Sequence, residues 1–227
     1  MEKLVYISKG DHRDFAAQRD SVATQVVSTA RAVGGERMAL LLPEHTEEIR
    51  ARSASRIAGD FDALNFVFEC WLPNLDDRGG IEESLRPMGE SLWGYLVTES
   101  NVVPCPHSVA EGERVPGVTQ WGINDKPAKV ALEDFYREWQ EVHSKHSFDL
   151  HPHRASYMRN AVARRLTPES PSYLAIVLER FPSLEHFVDE SLYFGDPAVV
   201  KEMFAHVSSF YDFETAITGG MSEYRFG

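Results

Sequence analysis

The sequence predicts an α+β fold of two tandem ferredoxin-like repeats that pack as a (pseudo)dimeric α/β barrel. Two observations carry that reading. Strand and helix patterns follow the order β-α-β-β-α-β as far as residue 103 and repeat it from residue 118. A short echo also falls at equivalent places in the two halves: Val67-Phe68-Glu69 ahead of Ile81-Glu82-Glu83-Ser84-Leu85, and Val177-Leu178-Glu179 ahead of Val188-Asp189-Glu190-Ser191-Leu192. The predicted division is an N-terminal repeat over 1–103, a linker over 104–117 and a C-terminal repeat over 118–227.

Leu4 to Ser8 reads as the first strand. Phe15, Val22, Val26, Val27 and Ala30 recur at helical spacing, and Gly34-Gly35 ends that helix. Met38 to Leu42 is a second strand stopped by Pro43. After a polar, Arg-rich connection, Asp62 to Leu72 is a long apolar strand closed by Pro73. Ile81 to Leu92 is a helix interrupted near Pro87, and Trp93 to Val103 is the fourth strand. The connector holds Pro104, Pro106, Gly112, Pro116 and Gly117, which break regular structure. The order then repeats: a strand over 118–123, a helix over 130–146, and strands over 156–166 and 173–181. Ser183 caps a further helix, Asp196 caps another running to about Val207, and strands over 213–217 and 223–226 finish the sheet.

Composition bounds the partners. A net charge of −12 on 227 residues, with no cluster of Lys and Arg, argues against nucleic acid, which needs a basic surface to track phosphates. Two cysteines, Cys70 in an apolar run and Cys105 in a Pro-rich one, do not make a disulfide framework, so both are read as free and the compartment as cytoplasmic. The first residues run directly into a strand with no signal-like segment, and no apolar run approaches the ~18 residues of a membrane span.

Chemistry concentrates between Trp121 and Asn160. Leu132, Phe135, Trp139 and Val142 form an apolar helical stripe, and His143 and His146 flank it. Four of the nine histidines lie between 143 and 153. Imidazoles at a core boundary are suited to moving protons or binding a polar ligand. Trp121, Trp139 and Tyr157 are aromatic walls for a flat apolar pocket as well as plain core residues, with the Tyr157 hydroxyl and Asn160 as the few polar groups that would fix a ligand. Asn160 shares a strand face with Met158 and Val162, and an amide there needs a partner. His151 and His153 read as a loop, with His151 a candidate ligand contact. His206 follows Glu202 by four residues and reads as a surface pair. No HExxH or other ligand spacing supports a metal, and no GxGxxG, GxxxxGK[ST], GxSxG or CxxC is present, so no cofactor is expected.

The order of strand, Lys-Pro turn, helix reading Phe135-x3-Trp139-x3-His143, His/Pro loop and Tyr157-x2-Asn160-x-Val162 resembles the EthD family of dimeric α/β barrel proteins. The resemblance covers about half the chain. It implies a cofactor-independent enzyme acting on a small aromatic or polyketide-like metabolite, of lyase, isomerase, decarboxylase or cyclase type. His143, His146 and Tyr157 would be catalytic, and Trp121, Trp139, Asn160 and His151 would bind substrate. The same resemblance permits a non-catalytic protein that holds a hydrophobic metabolite for a partner oxygenase. A third expectation is haem, which some two-repeat barrels hold through a helix histidine. A homodimer through exposed edge strands is also open. The cleft is expected in the C-terminal half, between the sheet of 118–181 and the helix carrying His143, because the N-terminal helix offers no histidine there and Phe66, Phe68 and Leu96 can fill its core.

Overall fold

The structure, a computed structural model, describes residues 1–194 and 196–227. Eight antiparallel strands close a barrel: β1 (Glu2–Lys9), β2 (Glu36–Leu42), β3 (Leu64–Leu72), β4 (Ser91–Val103), β5 (Val118–Asn124), β6 (Ser156–Arg165), β7 (Ala175–Phe181) and β8 (Ile217–Phe226). Their order around the barrel is β1-β3-β2-β8-β5-β7-β6-β4. Within each half the order is the same, β4-β1-β3-β2 and β8-β5-β7-β6, and the β2–β8 and β4–β6 ladders join the halves. Closure gives every one of these strands two neighbours, so none of them offers the exposed edge that edge-to-edge dimerisation would need.

Helices pack on the outside. Helix α1 runs over 15–32, α2 is Thr46–Ser53, α3 is Gly79–Leu85, and α4 runs over 132–150. Short helices α5 (Leu184–Val188) and α6 (Glu190–Tyr193) precede α7 (Pro197–Val207). Side chains alternate across each strand. One set fills the barrel interior, with Val5, Ile7, Val67, Trp121, Ile176 and Met221 among its buried members. The other set meets the helices: Tyr6, Phe66 and Phe68 against Val22, Val26 and Val27 of α1 in the N-terminal half, and Ala175 against Phe135 and Trp139 of α4 in the C-terminal half.

Several expectations need correction. The Arg-rich connection after β2 contains α2, whose Ile49 is fully buried. The helix read as reaching Leu92 ends at Leu85 and passes through a 3-10 turn over Arg86–Met88, where Pro87 lacks the donor a continuing helix requires. The two short terminal strands are one strand, β8, whose length lets it bridge β2 and β5. The 104–117 connector is irregular as expected, but it is stitched to β8 by Val115 N–H donating to the Glu223 carbonyl at 2.8 Å and Gly112 N–H to that of Arg225 at 2.7 Å.

The echo between halves carries a slip. Val67 and Glu69 point into the barrel and Phe68 points outward, whereas Leu178 points inward and Val177 and Glu179 point outward. A shift of one residue exchanges the faces of every side chain. It is this slip that brings Glu179 to the helix side of the sheet.

Candidate active site

Between the outer face of β5–β7–β6 and helices α4, α6 and α7 lies a cavity of about 230 Å³. Trp139, Phe194, Val207 and Phe210 supply apolar wall, while Gln120, His143, His151, Tyr157, Glu179 and Tyr193 supply polar groups. Helix α4 places His143 through a local irregularity. Its central segment, Arg137–His143, is π-helical, and the Ser144 hydroxyl donates to the Trp139 carbonyl five residues back at 2.8 Å. The buried face therefore runs Phe135, Trp139, Ser144, Ser147, Leu150 instead of continuing from Trp139 at four-residue steps. His143 is displaced to the edge of that face and turns toward α7. Leu132, expected in the stripe, is exposed, and so is His146, which does not line the cavity.

The floor is an ion-pair network on β7. Glu179 is buried and pairs with the equally buried Arg154 guanidinium. Gln120 donates to Glu179 at 3.3 Å, and the Tyr193 hydroxyl donates to Gln120 at 2.5 Å. Burial pushes the Glu179 carboxyl up, but Arg154 and the neighbouring imidazoles outweigh it, so the group stays ionised below the usual carboxylate range. Arg154 stacks on Tyr157 at 4.1 Å, and Arg159 donates to Ser144 Oγ at 2.6 Å, which in turn lies 3.2 Å from the Tyr157 hydroxyl.

His143 is held neutral. Burial is the main cause, partly offset by the Glu179 charge and reinforced by His206, and together they bring its pKa down to about 4. Its Nδ1 is sealed from solvent and has no hydrogen-bond partner among the described residues. His206 stacks on it with centroids 5.7 Å apart and meets His146 edge-on at 5.6 Å, so it is not the surface partner of Glu202 that its spacing suggested. His151 is buried, with Nδ1 2.9 Å from the Tyr193 carbonyl, and burial lowers its pKa as well.

Of the residues singled out in the sequence, the cavity gathers Trp139, His143, His151 and Tyr157. It does not include Trp121 or Asn160. Both lie inside the barrel, across the sheet from His143: Trp121 opposes Leu178 and Asn160 opposes Ile176 on the inward face. The reason is alternation, since Tyr157 and Asn160 differ by three positions on one strand and must face opposite ways. Asn160 is fully buried, and neither its amide oxygen nor its nitrogen has a partner among the described residues.

Sequence reasoning missed Glu179, Arg154, Arg56 and Tyr193. Arg56 comes from the N-terminal half and stacks 3.5 Å over the Tyr193 ring. Only Glu179 had a signal, as a carboxylate in an apolar strand. The N-terminal half was expected to be filled and to hold no cleft; its core is packed beneath Val22 and Val26, but a polar-lined cavity of about 350 Å³, larger than the one at His143, opens at the other end of that half. Haem does not fit the first cavity: about 230 Å³ is below the ~300 Å³ at which drug-sized ligand sites begin. Among the described residues no three His, Cys, Asp or Glu converge as metal ligands, and no helix is long and apolar enough to cross a membrane.

The depressed histidines make stability pH-dependent. Their folded pKa values lie below the unfolded value near ~6.5, so the unfolded chain takes up protons first and stability falls as pH drops from about 6.5 through about 4. His143 alone accounts for roughly 3 kcal/mol at the acid end. Urea unfolding across that window should show the loss, and His143→Phe should flatten it; an unchanged slope in the variant would remove His143 as the cause.

No protein-family model matches this chain, and no curated protein matches it. Solved structures do. An anthrone oxidase-like protein superposes with a TM-score of 0.63 at 11% identity, covering 100% of this chain and 93% of its own. A provisionally assigned monooxygenase of Fusobacterium nucleatum gives 0.53 at 8% identity, over 100% and 92%. Another from Lactobacillus acidophilus gives 0.49 at 10%, over 99% and 94%. At such identities the likeness shows the fold alone. These neighbours are dimeric α/β barrel proteins, and this chain has that fold.

Proposed function

We propose that this protein is a cofactor-independent enzyme for a small, flat aromatic or polyketide-like molecule, in which His143 accepts a proton from the bound substrate. One observation carries the reading: a neutral imidazole with an unpartnered, buried Nδ1 sits on an aromatic-walled cavity beside a buried carboxylate. A ligand hydroxyl or acidified C–H in the cavity would pass its proton to the ring's other nitrogen, Nε2, and Glu179 would stabilise the imidazolium that forms. Tyr157, fixed by Ser144 and Arg154, would donate to a carbonyl oxygen on which charge develops. His151 and Trp139 would contact the ring, with His146 acting only through His206. The fate of the resulting anion, whether lyase, isomerase, decarboxylase or cyclase, belongs to this proposal. So does an EthD-type assignment, which rests on the 121–160 segment.

The name of the anthrone oxidase-like neighbour is in keeping with a fused-ring ligand. The matching strand order of the two halves supports tandem ferredoxin-like repeats with boundaries near 103 and 118, and a homodimer of such barrels would use helix or loop surfaces. A cytoplasmic setting, with neither nucleic acid nor membrane as partner, completes the reading.

The test is a thermal-shift screen of anthrone and simple phenolic polyketides, followed by chromatography of each hit with and without air. Conversion that disappears in His143→Ala supports an enzyme. Binding of these compounds without any conversion would instead make the protein a carrier.

A further inference from the structure

The His143 cavity has two ends. Along β5, Gln120, Gly122 and Asn124 face it, while Trp121 and Ile123 face the barrel interior. Gln120 opposes Glu179 in the sheet and Asn124 opposes Ala175. The floor therefore runs about 13 Å from the ion-pair network to Asn124, at ~3.3 Å per residue. Between the two, Gly122 opposes Val177 and adds no side chain. A Cβ there would stand 3.3 Å from Thr218 Oγ1, which is also on the cavity wall, so its absence keeps the middle of the floor flat.

The far end carries an unused acceptor. Asn124 is 3% exposed. Its backbone carbonyl accepts from the Leu174 N–H at 3.1 Å, and its Nδ2 donates to the Asp125 carbonyl at 3.1 Å. A carbonyl only accepts, so that second bond fixes which way the amide is turned and leaves Oδ1 without a share in it. Oδ1 accepts no hydrogen bond among the described residues. Unlike the amide of Asn160 it is not sealed, and the surface it keeps belongs to the cavity that Asn124 lines. A buried acceptor left unpaired has lost its hydration for nothing, so a donor that enters the cavity is favoured there.

That acceptor selects the ligand. An ether, a carbonyl or a carboxylate has no proton to offer Oδ1, whereas a hydroxyl does. The span of ~13 Å, less a hydrogen bond of ~2.8 Å at each end, leaves about 7–8 Å between the ligand's two polar groups, the length of two fused rings.

We propose that the ligand of this cavity carries a second hydroxyl at the end remote from Glu179, and that Asn124 is the specificity-determining residue that accepts its hydrogen bond. The inference rests on the reading above that a flat aromatic molecule enters the cavity, and it narrows that class to ring systems hydroxylated at both ends.

The experiment is calorimetric titration of the full chain with naphthalene-2,6-diol, naphthalen-2-ol and 6-methoxynaphthalen-2-ol. The diol should bind about tenfold more tightly than the mono-ol, and the methyl ether, which fills the same space without a donor, should gain nothing. In Asn124→Ala and Asn124→Leu the tenfold preference should shrink to about one, with the affinity for naphthalen-2-ol itself changed less than about twofold. His143→Ala should keep the preference intact, which separates this role from proton transfer. A diol that binds no better than the mono-ol, a methyl ether that matches the diol, or a preference that survives in the Asn124 variants overturns the inference and leaves the proposed reaction standing. Failure of all three probes to bind overturns both. A diol preference that depends on Asn124, with no turnover of any hit, supports the inference and counts against the enzyme.

Discussion

Glu179→Leu is expected to lower the stability of this protein by about 3–5 kcal/mol, the range for removing one partner of a buried ion pair. The reason is what remains. Arg154 is buried, and without Glu179 its guanidinium keeps only neutral partners: Ser147 Oγ at 3.1 Å and the faces of Tyr157 and Phe148. An arginine does not escape by losing its proton, so the charge stays and the chain must distort or admit water around it. Against a typical total of about 5–15 kcal/mol, the change is large enough to read directly in urea. Arg154→Met alone should be costly for the same reason in reverse. The double variant should recover most of the loss, because two apolar side chains need no counter-charge. A single Glu179→Leu loss under about 1 kcal/mol would show that the pair is hydrated and that the floor of the cavity is open to bulk water.

The same pair marks the boundary between what the sequence disclosed and what it did not. Strand positions were legible because apolar runs and prolines bound them: β1, β3 and β7 lie within a few residues of their expected limits. The α/β barrel was legible from the order of strand and helix patterns. The register was not. Val67-Phe68-Glu69 and Val177-Leu178-Glu179 look equivalent as strings, yet the slip between them buries one glutamate with Lys3 inside the barrel and the other with Arg154 outside it. Pairing of Glu179 with an arginine 25 positions earlier depends on tertiary structure that no local pattern encodes. Face assignment failed differently. Placing Tyr157 and Asn160 in one pocket ignored a strand's two-residue period, an error the sequence itself could have corrected. The π-helical segment of α4 was invisible to a reading that assumes 3.6 residues per turn, and it decides that His143, and not His146, meets the cavity.

His143→Ala is expected to lower kcat by ~10²-fold or more on whichever fused-ring or phenolic compound the screen shows to be converted, with KM changed far less. The asymmetry follows from geometry. Binding area comes from Trp139, Phe194, Val207 and Phe210, which the substitution leaves in place, whereas the imidazole proposed to take the proton is lost. The wild-type pH profile supplies a readout that loss of packing would not reproduce. With a pKa of about 4, His143 is already deprotonated at neutral pH, so kcat/KM should be flat from neutrality down and fall only as the imidazole protonates near pH 4, well below the ~6.5 of a free histidine. Glu179→Gln shifts that limb further down if it folds, because the carboxylate is the group that favours the imidazolium. His143→Gln, which keeps a polar side chain but cannot serve as the base, should match the alanine variant. An acid limb that stays near 6.5 in wild type, or full turnover in either variant, would take the proton transfer away from His143 and leave Glu179 as the base to test.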